Sequence, residues 1–139
     1  MTNYQASEVP WESHRDALSH IRRTVFVEEQ EIDPDEEWDG EDPHCRHFLA
    51  IDEGGCPIGT ARLMPSGQIG RMAVLESWRG RGVGAQLLAL AVGAARDKGL
   101  AVFLHAQADA IGFYERAGFQ LHGEPFAEAG IEHRMMTLP

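Results

Sequence analysis

A mixed α/β sandwich on a mainly antiparallel sheet of six to seven strands is the architecture expected of this chain. Strand signals follow one another at short intervals from His47 to Leu75, separated only by turns. That spacing favours a meander of antiparallel neighbours. An Ala- and Leu-rich stretch without proline, Gly84 to Lys98, then reads as one long helix, and a strand–helix–strand run closes the chain.

The elements follow in order. Asn3 to Glu8 reads as a short first strand, and Pro10 suits the start of a helix over Trp11 to Val27. Leu18, Ile21, Val25 and, one position on, Phe26 give that helix its apolar stripe. His47 to Asp52 is a strand, Glu53-Gly54-Gly55 a hairpin turn, and Cys56 to Met64 the returning strand. Pro65-Ser66-Gly67 turns the chain into a third strand, Gln68 to Leu75. Gly99 ends the long helix, and Ala101 to Ala106 is a buried strand. Asp109 can cap a short helix over Ala110 to Ala117, which Gly118 stops. Phe119 to His122 and Glu132 to Leu138 form a closing pair of strands, with Gly123 to Gly130 as a loop around Pro125. There is no internal repeat, linker or low-complexity tract, and 139 residues fit one domain, 1–139, with its own core.

Composition narrows the partners. Hydrophobic residues make up 43% and charged residues 24%, as in ordinary globular domains, but the net charge is −10. Such a surface repels phosphate backbones and anionic lipid, which argues against nucleic acid and membrane as partners. No apolar run is long enough to span a bilayer, and Met1 to Pro10 lacks the pattern of a secretory signal. Two cysteines, Cys45 and Cys56, do not make a disulfide framework; a reducing, cytoplasmic setting is expected. The acidity is local. Glu28 to Asp42 holds ten carboxylates and no Lys or Arg, which accounts for the whole net charge. This segment reads either as a solvated loop or as an anionic wall that attracts a cationic ligand. Ile32, Pro34 and Trp38 within it favour order over a disordered acidic tail.

The chemistry-bearing motif is Arg79-Gly80-Arg81-Gly82-Val83-Gly84, between a strand and the longest helix. Glycines allow backbone N–H groups to approach an anion, and the helix start adds positive potential. Arg79 and Arg81 add permanent charge, so Arg79 to Ala85 together make a diphosphate cradle. A Walker A loop needs Gly-Lys-Ser/Thr, which is absent. Gly80, Gly82 and Ala85 can be forced onto the dinucleotide fingerprint, but Glu76, Ser77 and Trp78 separate them from the strand and no acidic residue ends the next strand.

At this junction the sequence resembles the GNAT superfamily of acyl-CoA-dependent N-acetyltransferases. Arg79, Gly82 and Gly84 match the family's Arg/Gln-x-x-Gly-x-Gly/Ala signature in register. Gly70-Arg71-Met72-Ala73-Val74 is similar to its fourth strand, and Gly112 to Phe119 to its late helix and sixth-strand entry. Val25 to Gln30, Ala106-Gln107 and Glu128 to His133 resemble the ElaA/YjcF-like branch. The resemblance implies helices on both faces of the sheet and fourth and fifth strands that splay into a V. Acetyl-CoA is the implied cosubstrate, its pantetheine arm pairing with backbone at Met72, Ala73 and Val74 as an added strand would. Its diphosphate would sit on Gly80, Arg81, Gly82, Val83, Gly84 and Ala85. Gln107 stands near the place where the family has an Asn, and Phe113 and Tyr114 flank the cofactor from the late helix, with Phe113 and Phe119 in packing roles.

The implied reaction is direct attack of a neutral amine on the thioester, with an oxyanion held by a fourth-strand N–H, that of Met72 or Ala73. Tyr114 is the implied general acid for the leaving thiolate. Glu28, Glu29, His105 and His133 are candidate bases, with Glu29 the first choice. Glu28, Glu29, Gln30 and His133 are the expected contacts of a small, cationic amine acceptor. The rival reading is a non-catalytic acyl-CoA-binding module that senses the cofactor or docks to a partner. Dimers are common in the resembled family, which leaves a homodimer open. His44-Cys45-Arg46-His47 with Cys56 matches no standard zinc spacing, so no metal is expected. Cys45 lacks an evident base partner to act as a nucleophile.

Overall fold

The computed structural model describes residues 3–139; Met1 and Thr2, the first two residues of the opening stretch, lie outside the described residues. Seven strands form one sheet: β1 (Tyr4–Val9), β2 (Arg46–Asp52), β3 (Pro57–Leu63), β4 (Gln68–Val74), β5 (Val102–Gln107), β6 (Gln120–Glu128) and β7 (Ile131–Leu138). Their spatial order is β1-β2-β3-β4-β5-β7-β6, and every neighbouring pair is antiparallel except β4–β5. Four α-helices join them: α1 (Trp11–Arg22), α2 (Pro34–Glu37), α3 (Val83–Asp97) and α4 (Ile111–Arg116).

Alternation along the strands feeds two cores, one on each face. Phe48, Ala50, Leu104, Ala106 and Met136 pack with Val83, Leu87 and Ala91 of α3 and Tyr114 of α4. Leu49 and Ala73 point the other way, against Leu18, Ile21, Val25 and Phe26. The helix α3 comes close to the sheet because Gly59 gives way: a Cβ there would meet Leu87 Cδ1 at 2.9 Å and Val83 Cγ1 at 3.1 Å.

One bulge shapes the middle of the sheet. On β4, three steps from Gly70 to Ala73 face two steps from Arg62 to Thr60 on β3. Arg71 sits inside this bulge with φ of +50°. A non-glycine residue in that region is strained by about 1–3 kcal/mol and persists only where its surroundings hold it. Immediately before it, β4 and β5 are paired at Gln68–Phe103 and Ile69–Leu104. Beyond Ile69 the register ends and the strands part, as bulges re-aim a strand.

An arginine–carboxylate network holds the bulge. Arg22 Nε donates to Glu37 at 2.8 Å and its Nη1 to Asp42 at 2.8 Å. Arg62 donates to Asp42 at 3.1 Å and to both oxygens of Asp39 at 3.0 and 2.9 Å. Arg71 Nη2 donates to the Glu37 carbonyl at 2.8 Å, and its Nε lies 3.0 Å from Glu37 Oε2. Burial pushes the Asp42 carboxyl up, but hydrogen bonds and charge from Arg22 and Arg62 win and hold it below the usual range. Much of the acidic run is therefore ordered structure. Asp33 caps α2 through its side chain, accepting from Asp35 N at 2.8 Å.

Three local expectations need correction. The first helix does not run α-helically to Val27; Arg23–Glu29 is π-helical, and Thr24 Oγ1 donates back to the His20 carbonyl at 2.9 Å. Val25 and Phe26 of this wider turn are both buried. Asp109 is not a cap. Ala108–Ala110 forms a 3₁₀ turn, and α4 begins at Ile111 with no side-chain cap. Gly123 to Gly130 is not one loop: β6 runs through to Glu128, with a register shift between His122 and Phe126. β6 is a sheet edge, so Pro125 can sit at the bulge without breaking a needed ladder bond. Only Ala129-Gly130 turns, with φ of +53° and +75°.

Asp42→Ala would leave Arg22 and Arg62 as buried charges short of a partner. We expect a stability loss of about 3–5 kcal/mol in urea unfolding. The exposed Asp35→Ala should cost no more than about 0.5 kcal/mol in the same measurement.

Candidate active site

The parting of β4 and β5 opens a cleft of about 520 Å³. Residues from both faces of the sheet line it. Tyr114 reaches it from the α3/α4 side, and His105, Gln107 and His133 from the opposite face of β5 and β7. Gln30, at the end of the π-helical segment, and Met72, on the unpaired part of β4, complete the centre.

Beyond Val74 the chain passes through a 3₁₀ turn (Glu76–Trp78) to the glycine-rich loop. Gly80 and Gly82 have φ of +77° and +83°, and a Cβ on either would meet nothing within 4 Å. The space above this backbone is open. Gly82 is the N-cap of α3 and supplies no side chain, and the first bond of the helix is Gln86 N–H to the Gly82 carbonyl at 3.1 Å. The N–H groups of Val83, Gly84 and Ala85 thus have no intrahelical acceptor. They present a positive helix end suited to a phosphate. Arg81 stacks over Trp78 at 4.8 Å, which leaves it beside this loop.

Arg79 points elsewhere. Its Nε donates to the Val74 carbonyl at 2.9 Å, and its terminal nitrogens donate to both oxygens of Glu29 at 2.8 and 2.9 Å. It ties the glycine-rich loop to β4 and to the π-helical segment. The hydrogen bond from Arg79, opposed by slight burial and aided by its charge, holds the Glu29 carboxyl below its ordinary value. Neither Glu28 nor Glu29 is in the cleft lining, although Gln30 is.

Gln107 Nε2 donates to Gln30 Oε1 at 2.8 Å and bridges β5 to the π-helical segment. Phe113 packs edge-on against Tyr114 at 5.0 Å and lies 3.3 Å from where a Gly84 Cβ would be. It supports the helix start rather than facing the cleft. Tyr114 is 8% exposed, and burial pushes its phenol up to about 12. On the β6–β7 side of the cleft, His105 and His133 flank Glu128 and the ring of Phe126.

The match to known proteins agrees with this geometry. The model of the acetyltransferase (GNAT) family matches residues 11–119. The chain belongs to that family. Among curated proteins, the uncharacterized N-acetyltransferase YjcF of Bacillus subtilis is 35% identical over 130 residues, covering 90% of this chain and 91% of its own. An acyl-CoA N-acyltransferase from Pseudomonas aeruginosa superposes with a TM-score of 0.85 at 31% identity, over 98% of this chain and 99% of that one. Escherichia coli ElaA superposes with a TM-score of 0.86 at 29% identity, over 97% and 99%. As a GNAT acetyltransferase, the chain is an N-acetyltransferase.

Of the residues expected at a GNAT site, Gln30, Met72, Gln107, Tyr114 and His133 converge on the cleft. Ala73 and Val74 continue β4 past it toward Gly80 to Ala85. Glu28 and Glu29 are not brought to the cleft. The sequence reading missed Glu128 as a site residue, though it stands in the Glu128 to His133 motif. It also missed Arg71, whose only sequence signal is a charge inside a strand pattern. His47 and Cys45 have ordinary local partners: His47 Nε2 and Cys45 Sγ bond to the Asp42 and Glu41 carbonyls at 2.9 and 3.2 Å. Burial pushes the Cys45 thiol up, away from the nucleophilic thiolate. Among the described residues no group of three or more His, Cys, Asp or Glu side chains is placed to hold a metal ion, and no helix is long and apolar enough to cross a membrane.

Tyr114 gives a direct pH test. Its phenol titrates near 10 when unfolded and is raised in the folded chain. Its contribution to stability is complete below about pH 10 and is lost as pH rises toward the folded value. The difference absorbance at 295 nm between wild type and Tyr114→Phe should therefore stay flat at pH 10 and rise only near pH 12 or on unfolding. A phenolate signal at pH 10 in the folded chain would show that the ring is not desolvated.

Proposed function

We propose that the chain transfers an acetyl group from acetyl-CoA to the primary amine of a small, cationic acceptor by direct attack on the thioester. One observation supports this above the others. The cleft where β4 and β5 part is reached from both faces of the sheet, and the open glycine-rich helix start lies just past the end of β4 that β5 leaves unpaired.

In this reading the diphosphate rests on the N–H groups of Gly80 to Ala85, with Arg81 beside it. The pantetheine arm pairs with the Met72–Val74 backbone on the side that β5 has vacated. Arg79 acts as a positioning residue, since its guanidinium already spans Val74 and Glu29. Glu29 acts through Arg79; a carboxylate so paired and off the lining is a poor base. The thioester lies beside Tyr114. An N–H of Met72 or Ala73 stabilises the tetrahedral oxyanion. As the C–S bond breaks, the Tyr114 phenol protonates the thiolate. Burial keeps Tyr114 in the protonated form needed for that step, and the same dry surroundings raise the proton affinity of the departing sulfur.

The acceptor's charge is read from the lining. Glu36 and Glu128 line the cleft, and neither side chain meets an arginine among the described residues. Glu37 and Asp39 face the cleft already paired with Arg22, Arg62 and Arg71. Thus Gln30, His133 and these two carboxylates, which no arginine neutralises, form the acceptor side.

Release of free thiol from acetyl-CoA with a panel of amines tests the reading. Cationic amines should turn over; a panel in which anionic amines win would reject the acceptor class. Tyr114→Phe should lower kcat by about 10²-fold or more while calorimetric CoA affinity stays unchanged. Tight CoA binding with no turnover on any amine would favour a cofactor-sensing module instead. Gly82→Leu should abolish CoA binding, whereas Gly82→Asn, which tolerates a positive φ, should retain a measurable part of it.

A further inference from the structure

We infer that His133 takes the proton from the acceptor amine and that Glu128 carries it to solvent, with His105 holding Glu128 in place. This inference rests on the acyl-transfer reading above.

The pairing of β5 with β7 sets His133 opposite Gln107 and His105 opposite Met135. All four share the sheet face away from Leu104, Ala106 and Met136, which pack under α3. The two imidazoles therefore approach the cleft from the side opposite Tyr114. His133 Nδ1 lies 2.8 Å from the Ile131 carbonyl. A carbonyl only accepts, so Nδ1 carries the proton, and in the neutral ring Nε2 presents a lone pair. His133 is 6% exposed and lines the cleft.

Glu128 Oε2 lies 3.8 Å from that Nε2. This is too long for a hydrogen bond, as expected between a lone pair and a carboxylate. Once Nε2 is protonated it becomes a donor aimed at an anion, and the contact can close into a charge-assisted bond. The other oxygen, Oε1, accepts from His105 Nδ1 at 2.9 Å. The Glu128 side chain is 48% exposed, so a proton that reaches it has water at hand. Phe126 stands between the rings, stacked on His133 at 5.9 Å and edge-on to His105 at 5.0 Å. The remaining titratable groups that face the cleft are Tyr114 from α4, Arg71 from β4, Arg62 from β3, and Glu36, Glu37 and Asp39 from the acidic segment. The two arginines are committed to Glu37, Asp39 and Asp42.

The protons balance. An ammonium acceptor gives one proton to His133 Nε2, and its freed lone pair attacks the thioester carbon. The C–S bond breaks, and Tyr114 protonates the thiolate. The second nitrogen proton of the adduct restores the Tyr114 phenol. Ammonium and thioester become amide, thiol and one released proton, which leaves through Glu128.

The test is the pH dependence of kcat/KM for an accepted amine, with CoA calorimetry and urea unfolding as controls. His133→Gln should lower kcat/KM by about 10²-fold or more and remove the acidic limb of the profile, with CoA affinity unchanged. Glu128→Gln should lower the rate about tenfold, because the imidazolium loses the carboxylate that takes its proton on to solvent. His105→Asn should resemble Glu128→Gln in weaker form. Imidazole added to His133→Ala should restore part of the rate. A folded, CoA-binding His133→Gln with the wild-type rate and limb overturns the relay. Should His133→Gln not fold, a wild-type rate in folded, CoA-binding Glu128→Gln overturns it equally. Turnover in the wild type, lost in Tyr114→Phe but not in these variants, would leave the acyl-transfer reading standing and remove only the relay. A wild type with no turnover on any amine removes both.

Discussion

The site depends on one break in a hydrogen-bond ladder: β4 cannot stay with β5 beyond Ile69. The extra residue at Arg71 turns the strand, and its left-handed backbone is strained. Such a conformation needs restraint, and the buried Arg22 and Arg62 with the partly buried Arg71 supply it by meeting Glu37, Asp39 and Asp42. Acidic residues that the sequence leaves open as a solvated loop or an anionic wall thus hold open the gap between two strands. The network is a device for shape. Its contribution to net stability is small beside the penalty for breaking it, because Arg22, Arg62, Glu37 and Asp42 are paired and desolvated together.

The same economy links the two halves of the cleft. The π-helical turn brings Val25 and Phe26 into the core, ends at Gln30 over the cleft, and offers Glu29 to Arg79. Arg79 also holds the Val74 carbonyl at the end of β4. A single guanidinium therefore connects the π-helical segment over the cleft, the end of β4, and the loop at the start of α3. These contacts are half exposed, so their value lies in registering three pieces of chain rather than in binding energy.

Much of the fold was legible in the sequence because its signals are local. Alternation marked the meander, the Ala/Leu run marked α3, and clustered glycines and arginines ahead of that helix marked the glycine-rich loop. The GNAT signature at Arg79, Gly82 and Gly84 placed that loop in register. What escaped depends on tertiary context. The π-turn over Arg23–Glu29 keeps the apolar residues of an ordinary helix, so hydrophobic periodicity does not show it. An edge position makes Pro125 tolerable in a strand, and edges are invisible until the strand order is known. Glu29 looked like a base by its place at the end of the first helical unit, but Arg79, fifty positions on, pairs with it. Glu128 looked like motif filler until the β6–β7 pairing set it between two histidines.

The central claim is that the donor completes β4 where β5 has left it. Hydrogen exchange read by mass spectrometry, with and without acetyl-CoA, tests it most directly. The account predicts slower exchange in the Met72–Val74 stretch together with the Gly80–Ala85 loop, while β1 and β2 stay unchanged. Saturating ligand that protects the loop but leaves Met72–Val74 exchanging as before would contradict it.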